Sequence, residues 1–115
     1  MRTPTIKSKR GPEFLIQQRI IKYLHARGWY VIIMTASLYV KGFPDLFATH
    51  RVYGPKLIEV KNPKSYKFTK DQKIVFPQLL GHGTPIYIMF EADKENYASL
   101  FRECNCPHYI AMKGY

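Results

Sequence analysis

The stretch Gly42-Phe43-Pro44-Asp45-Leu46-Phe47-Ala48-Thr49-His50-Arg51-Val52-Tyr53-Gly54-Pro55-Lys56-Leu57-Ile58-Glu59-Val60-Lys61 decides how the rest of this chain is read. Two runs rich in apolar and β-branched residues flank the turn signal Tyr53-Gly54-Pro55, which predicts a hairpin. The first strand is expected from about Asp45 to Thr49, after a Gly42-Phe43-Pro44 turn, and the second over Lys56–Lys61. Side chains alternate along a strand, so Ile58 and Val60 point one way while Leu57, Glu59 and Lys61 point the other. An acid and an amine thus emerge side by side. Taken alone, that segment reads as a half-exposed strand with alternating charge.

Asp45 alters the balance. Antiparallel pairing roughly symmetric about Gly54 brings it near Glu59. Two carboxylates held together repel each other unless a proton or a cation intervenes. Mg²⁺ takes few carboxylates, several waters and a substrate phosphate, so the pair suits it, with the backbone carbonyl of Val60 as a further oxygen. Lys61, beside such a metal, is placed to orient or help deprotonate an attacking water and to stabilise charge on a phosphate.

Upstream, Pro12 suits a first helical turn and Gly28 the position just past a helix end, so a helix of about fifteen residues is expected between them. Ile16, Ile20, Leu24, Ile21 and Phe14 define its apolar face. Glu13 and Gln17 fall within that face. Glu13 has a local reason to be there, since an acid in the first turn complements the helix dipole. Its inward position favours a role at a polar site. Residues 1–11 read as a flexible basic arm carrying Lys7, Lys9 and Arg10, and Trp29–Ala36 as a strand entering the core.

Downstream, Asn62–Phe68 is a basic loop. Thr69-Lys70-Asp71-Gln72 matches the capping box that opens a helix. Gln72 therefore has a sufficient local task, and it equally suits a place facing the site. Pro77 is expected to kink or interrupt that helix, with Gly81 and Gly83 ending it. Thr84–Phe90 reads as a buried strand, Asp93 as the cap of a third helix to about Glu103, and His108–Met112 as a last short strand. The order is helix, three strands, helix, strand, helix: an α/β sandwich in one domain, residues 12–115.

The set Glu13, Gly42-x-Pro44-Asp45-Leu46, Ile58-Glu59-Val60-Lys61 and Gln72 resembles the VRR-NUC branch of the PD-(D/E)XK nucleases. Pro44-Asp45 followed by Glu59-Val60-Lys61 carries the superfamily signature. Glu13, the Gly-x-Pro form and Gln72 point to the branch. The resemblance spans residues 13 to about 90. It implies a restriction-endonuclease-like fold, an αβββαβ core with a mixed central sheet flanked by helices. It also implies Mg²⁺, with Mn²⁺ able to substitute. Asp45 and Glu59 would then bind metal, Lys61 would assist the nucleophile, and Glu13, through water, and Gln72 would support them. Stand-alone members, often viral, resemble homodimeric endonucleases that resolve four-way DNA junctions. A chain of that kind would act in the cytoplasm of a host cell. The alternatives are a flap-cutting or restriction-like nuclease and a non-catalytic nucleic-acid-binding module of the same fold.

Charge agrees with a nucleic-acid partner. The 115-residue chain carries +10, and the excess is uneven: fifteen Lys and Arg face four acids in residues 1–85, against three and four in residues 86–115. Such a field attracts a polyanion. Lys64, Lys67 and Lys70, interleaved with Tyr66 and Phe68, directly follow the site-bearing strand and read as a basic lip for DNA. Tyr39 and Lys41 are placed to touch the backbone likewise. The competing reading of the lip is a solvated loop with two buried aromatics. Cys104-x-Cys106-x-His108 offers three zinc ligands without a convincing fourth, and ordinary thiols are preferred. With two cysteines one residue apart there is no disulfide framework, which suggests a reducing compartment. The N-terminus lacks a signal-peptide apolar run, and stretches such as Tyr30–Met34 are too short to span a bilayer. A soluble intracellular protein, without a membrane partner, is expected.

Overall fold

The computed structural model describes residues 11–34 and 41–112. The basic arm up to residue 10, Tyr39, and the end of the first strand at Thr35-Ala36 lie outside the described residues.

Helix α1 spans Pro12–His25. Pro12 sits at its first turn, where a missing N–H costs nothing, and Glu13 supplies negative charge there. The helix closes in a Schellman motif, with Trp29 N donating to Leu24 O at 3.1 Å and Gly28 N to His25 O at 3.1 Å. Gly28 occupies the left-handed position, φ +88°, and a Cβ there would also press on the His50 ring at 3.3 Å. Ile16, Ile20 and Leu24 are buried as their spacing predicts. Ile21 packs partly against them.

Strands β1 (Tyr30–Ile33), β2 (Leu46–His50), β3 (Gly54–Val60) and β4 (Ile86–Met89) form one mixed sheet in the order β1-β2-β3-β4. The first two pairings are antiparallel and β3–β4 is parallel. The hairpin is centred on Val52 and not on Gly54: His50 pairs with Gly54 and Leu46 with Ile58. A three-residue loop, 51–53, followed by a left-handed glycine accounts for the shift, since Gly54 has φ +78° and already belongs to β3. His50 Nδ1 accepts from Val52 N at 3.0 Å and tightens the loop.

Helix α2 (Lys70–Gly81) begins with the complete capping box. Thr69 Oγ1 accepts from Gln72 N at 3.1 Å and Gln72 Oε1 accepts from Thr69 N at 3.0 Å. The expected break at Pro77 does not occur, and the helix runs through it. Pro77 and the residue one turn earlier, Lys73, are both exposed. The backbone disturbance therefore falls on the side where water substitutes, while Phe76 stays fully buried.

The third helix is shorter than expected. Helix α3 covers Lys94–Ala98, capped by Asp93, and passes into a 3₁₀ turn at Ser99–Phe101. Residues Cys106–Met112, expected to end in a strand, form helix α4. Asn105 starts it, its carbonyl accepting from His108 N at 3.1 Å. The Asn105 side chain accepts from Ile88 N at 2.7 Å and donates to Ile88 O at 3.0 Å. A side-chain amide thus takes the place on the β4 edge that a further strand would need.

Two cores sandwich the sheet. Ile16, Ile20, Leu24, Leu46, Ala48, Ile58, Val60 and Met89 pack on the α1 side, and Phe68, Phe76, Ile86, Ile88 and Cys106 on the α2 and α4 side. Among the described residues no helix is long and apolar enough to cross a membrane.

Candidate active site

The alternation along β3 has the consequence expected of it, with one difference. Ile58 and Val60 join the α1-side core, and the opposite face carries Glu59 with Lys61 beyond the strand end. That polar face is not half-exposed. Glu59 and Lys61 retain only 2% and 3% of their accessible surface. Burying an acid and an amine is tolerated only when each is hydrogen-bonded and paired.

Both are. Lys61 Nζ lies 3.1 Å from Glu59 Oε2 and donates to Gln72 Oε1 at 3.0 Å and to the Lys67 carbonyl at 2.7 Å. An ammonium has three N–H donors, and here three acceptors surround it. The Phe68 ring centroid stands 4.7 Å from the same nitrogen. Glu59 is equally enclosed: Oε1 accepts from Asp45 N at 3.2 Å, and Oε2 accepts from Gln72 Nε2 at 2.8 Å as well as from Lys61.

Asp45 precedes β2 by one residue, and the register that pairs Leu46 with Ile58 sets it beside Glu59. Its Oδ2 accepts from Val60 N at 2.9 Å, across the strand. The buried Pro44 and the positive-φ Gly42 (φ +83°) deliver it there. A Cβ on Gly42 would lie 2.7 Å from the backbone of Asp71, so the turn packs directly on the first turn of α2. That contact brings together the two elements that carry the site.

Electrostatics follow from this crowding. Burial first, and then the Asp45 charge, push the Glu59 carboxyl up to about 8, against the lowering influence of Lys61 and Gln72. Glu13 is exposed, yet its carboxyl senses both Lys61 and Asp45, and the Asn62 backbone lowers it. Burial is the largest influence on it and raises it. The first turn of α1 therefore lies within electrostatic reach of Asp45 and Lys61.

Of the five residues singled out in the sequence, Asp45, Glu59, Lys61 and Gln72 are brought together in the buried cluster, and the exposed Glu13 stands apart from it, within electrostatic reach of Asp45 and Lys61. Gln72 serves both of the tasks read for it, since one side-chain oxygen caps α2 and also accepts from Lys61. The lip residues divide. Lys41, Lys64, Lys67 and Lys70 are exposed. Tyr66 is half-buried, edge-on to Phe68, Phe90 and Tyr109 at 6.3, 5.4 and 6.0 Å, and so helps hold the α4 side together. The Lys67 carbonyl, the Asn62 backbone and the Phe68 ring were not anticipated as partners of the site. Main-chain groups carry no residue-type signal, so only loop geometry reveals them. Cys106 is buried in the α2-side core with its thiol pushed up to about 12, chiefly by burial, a neutral packing group. Among the described residues no cluster of three or more His, Cys, Asp and Glu side chains is gathered for a metal ion.

No protein-family model, curated protein or solved structure matches this chain.

Proposed function

We propose that this protein is a divalent-metal-dependent endodeoxyribonuclease with a PD-(D/E)XK-type fold. The observation that carries the reading is the buried, cross-strand constellation of Asp45 and Glu59 with Lys61 and Gln72. A purely structural sheet gains little from it. Replacing such a buried polar group by apolar residues is often neutral or stabilising, so its expense is better explained by chemistry than by stability.

The donor set fits a hard cation. Two carboxylates share one buried place, each raising the other's cost of ionisation, and a cation between them removes that repulsion. Asp45 and Glu59 would hold Mg²⁺ or Mn²⁺, with the Val60 carbonyl as a further oxygen and Glu13 reaching it through water. So few protein carboxylates suit an ion that keeps waters and takes substrate phosphate oxygens. When bound, the ion supplies Lewis-acid activation of water and of the phosphoryl oxygen.

The chain's own groups do the rest. Lys61 exchanges one of its three acceptors for a phosphate oxygen and places positive charge where the pentavalent phosphorus builds up negative charge. Gln72 holds Lys61 and Glu59 in register by bonding both. Its own rotamer is fixed by the α2 cap. Glu13, with its raised carboxyl, lies at the solvent side of the site, where a proton must be passed to or from water.

The substrate is proposed to be branched DNA, a four-way junction first. Lys41, Lys64, Lys67 and Lys70 would meet phosphates. Among the described residues no element is identifiable as a reader of base edges, so backbone and shape recognition are expected. Junction resolution needs two cuts, and a C₂ homodimer supplies two sites. Exposed Tyr30, Ile32 and Ile33 on the edge strand β1 offer apolar surface for a second copy. The test compares cleavage of junction, flap, splayed and linear DNA with Mg²⁺, with Mn²⁺ and with chelator. Metal-dependent cutting that is strongest on the junction supports the reading. DNA binding without cutting under every metal condition replaces it with a non-catalytic module.

A further inference from the structure

At the far end of the sheet from Asp45, the hairpin tip carries a second group of side chains with a binding signature. Asp45 and His50 are five residues apart on an extended strand, or about 17 Å. Tyr53 in the loop is 50% exposed and Phe101, from the 3₁₀ turn, is 44% exposed. Their rings meet edge-on at 4.7 Å. Behind them Trp29 is buried, stacked on Tyr53 at 6.1 Å with an interplanar angle of 22°. The two outer rings are thereby held by packing while their outer surfaces face water.

A cation stands beside them. Lys56 Nζ is 4.9 Å from the Tyr87 centroid and 5.8 Å from that of Phe101. The exposed Arg51 and Arg102 adjoin the two ring-bearing segments in sequence, Arg102 lining a surface recess with Glu95 and Glu103. None of the three cations is in an ion pair: among the described residues the ion pairs are Arg19–Glu91 and Lys61–Glu59. Exposed rings on a fixed base, with Lys56 at their side outside any ion pair, match what an unpaired nucleotide needs. Its base has an apolar face to stack and its phosphate has charge to neutralise. A duplex keeps its bases stacked inside and presents no such face.

We propose that Tyr53 and Phe101 form a stacking platform for unpaired nucleotides, with Arg51, Lys56 and Arg102 taking the adjoining phosphates. The inference rests on the nucleic-acid reading of this protein but not on its cutting anything. The platform stands about five base-pair steps from the candidate site, at 3.4 Å per step. It therefore ties cleavage to a position where single-stranded character begins.

The experiment uses the full chain in chelator, so that cleavage plays no part. Trp29 is the single tryptophan and reports on the platform directly. Titration with a single-stranded oligothymidylate should change Trp29 emission saturably, whereas the matching blunt duplex should bind with little change. Tyr53→Ser should weaken single-strand binding roughly tenfold and leave duplex binding within about twofold, while Tyr53→Phe restores it. If Tyr53→Ser melts early by circular dichroism, the surface pair Arg51→Ala with Arg102→Ala carries the test. Its log K against log salt slope on single strands should fall by about 1.4, at 0.7 per lost contact. Unchanged Trp29 emission at saturating oligonucleotide, or an unchanged salt slope, overturns the platform. Preference for an acidic protein over single strands overturns it too. Failure of the nuclease reading shows separately, as absence of cleavage on adding Mg²⁺.

Discussion

Asp45, Glu59 and Lys61 are the residues on which the proposed chemistry depends, and each can be changed with little change of shape. Asp45→Asn and Glu59→Gln each remove a hard anionic ligand. Both should abolish metal-dependent cleavage while DNA binding stays level or tightens, because repulsion of phosphate falls. Lys61→Ala should lose cleavage with a smaller loss of binding, being one phosphate contact among many. Gel assays of cleavage and binding on one junction check all three, and substantial cutting by either acid variant would sink the assignment. Glu13→Ala separates a site residue from a helix-dipole residue. An acid in a first turn contributes about 0.3–1 kcal/mol, so a purely dipolar Glu13 would cost only that. The expected result is activity lost far beyond that stability change, measured by kcat/KM beside a urea melt. The Glu59 carboxyl, pushed up to about 8 mainly by burial and Asp45, also makes metal-free stability depend on pH. The folded form holds that proton more tightly than the unfolded chain, whose carboxyl titrates near 4.5. Its contribution is complete below about 4.5 and is lost as pH rises through about 8. Metal-free melts of wild type against Glu59→Gln between pH 5 and 8.5 should diverge, wild type losing stability relative to the variant as pH rises. Added Mg²⁺ should restore wild type at the upper end.

At the scale of elements, α2 links folding to the site through one side chain. Its capping box is local: Thr69 and Gln72 satisfy two of the helix's orphan N–H groups between them. Gln72 Nε2 then reaches Glu59 and its oxygen also serves Lys61. The two members of the box should therefore respond differently to alanine. Thr69→Ala removes only a cap and should cost about 1 kcal/mol in stability with most activity retained. Gln72→Ala removes the cap and strips buried partners from an acid and an amine, so stability and activity should fall together. Thermal melts and initial rates on both variants check this, and a fully active Gln72→Ala returns that residue to capping alone. The same helix shows why Pro77 does not break it. The apolar contacts of Phe76 and the sheet beneath hold both halves in line, and propensity yields to packing.

For the whole molecule, net charge and symmetry set the expectations. A chain of +10 should bind DNA with steep salt dependence, and a homodimer would double the basic surface. Mixing wild type with a tagged Glu59→Gln chain should give heterodimers that nick one strand of a junction and leave the other whole. Paired cuts from such heterodimers, or a single chain per junction in analytical ultracentrifugation, would defeat the dimer. The exposed ion pair Arg19–Glu91 bridges α1 to the segment after β4 with two bonds of 2.9 and 2.8 Å. Screened as it is, it adds little to stability.

Much of this was legible in the sequence because its causes are local. The strand alternation at Leu57–Lys61, the capping box at Thr69–Gln72 and the glycine after α1 are short-range patterns, and they suffice for the element order. They also suffice to pick out Asp45, Glu59 and Lys61 as a set. The register is half local: the turn signal predicts the hairpin, but its centre lies at Val52 because Gly54 takes the left-handed position just after a three-residue loop. Other features depend on elements far apart in the chain. The contact of Gly42 with Asp71 buries the polar face of β3, and it turns an alternating-charge strand into an enclosed site. The Lys67 carbonyl becomes a partner of Lys61 only because the loop folds back. Residues Cys106–Met112 become helical because Asn105 occupies the β4 edge through Ile88, leaving no place for another strand. Local periodicity names the chemistry a segment can carry. Burial, which decides whether that chemistry is paid for, is a property of the packed whole.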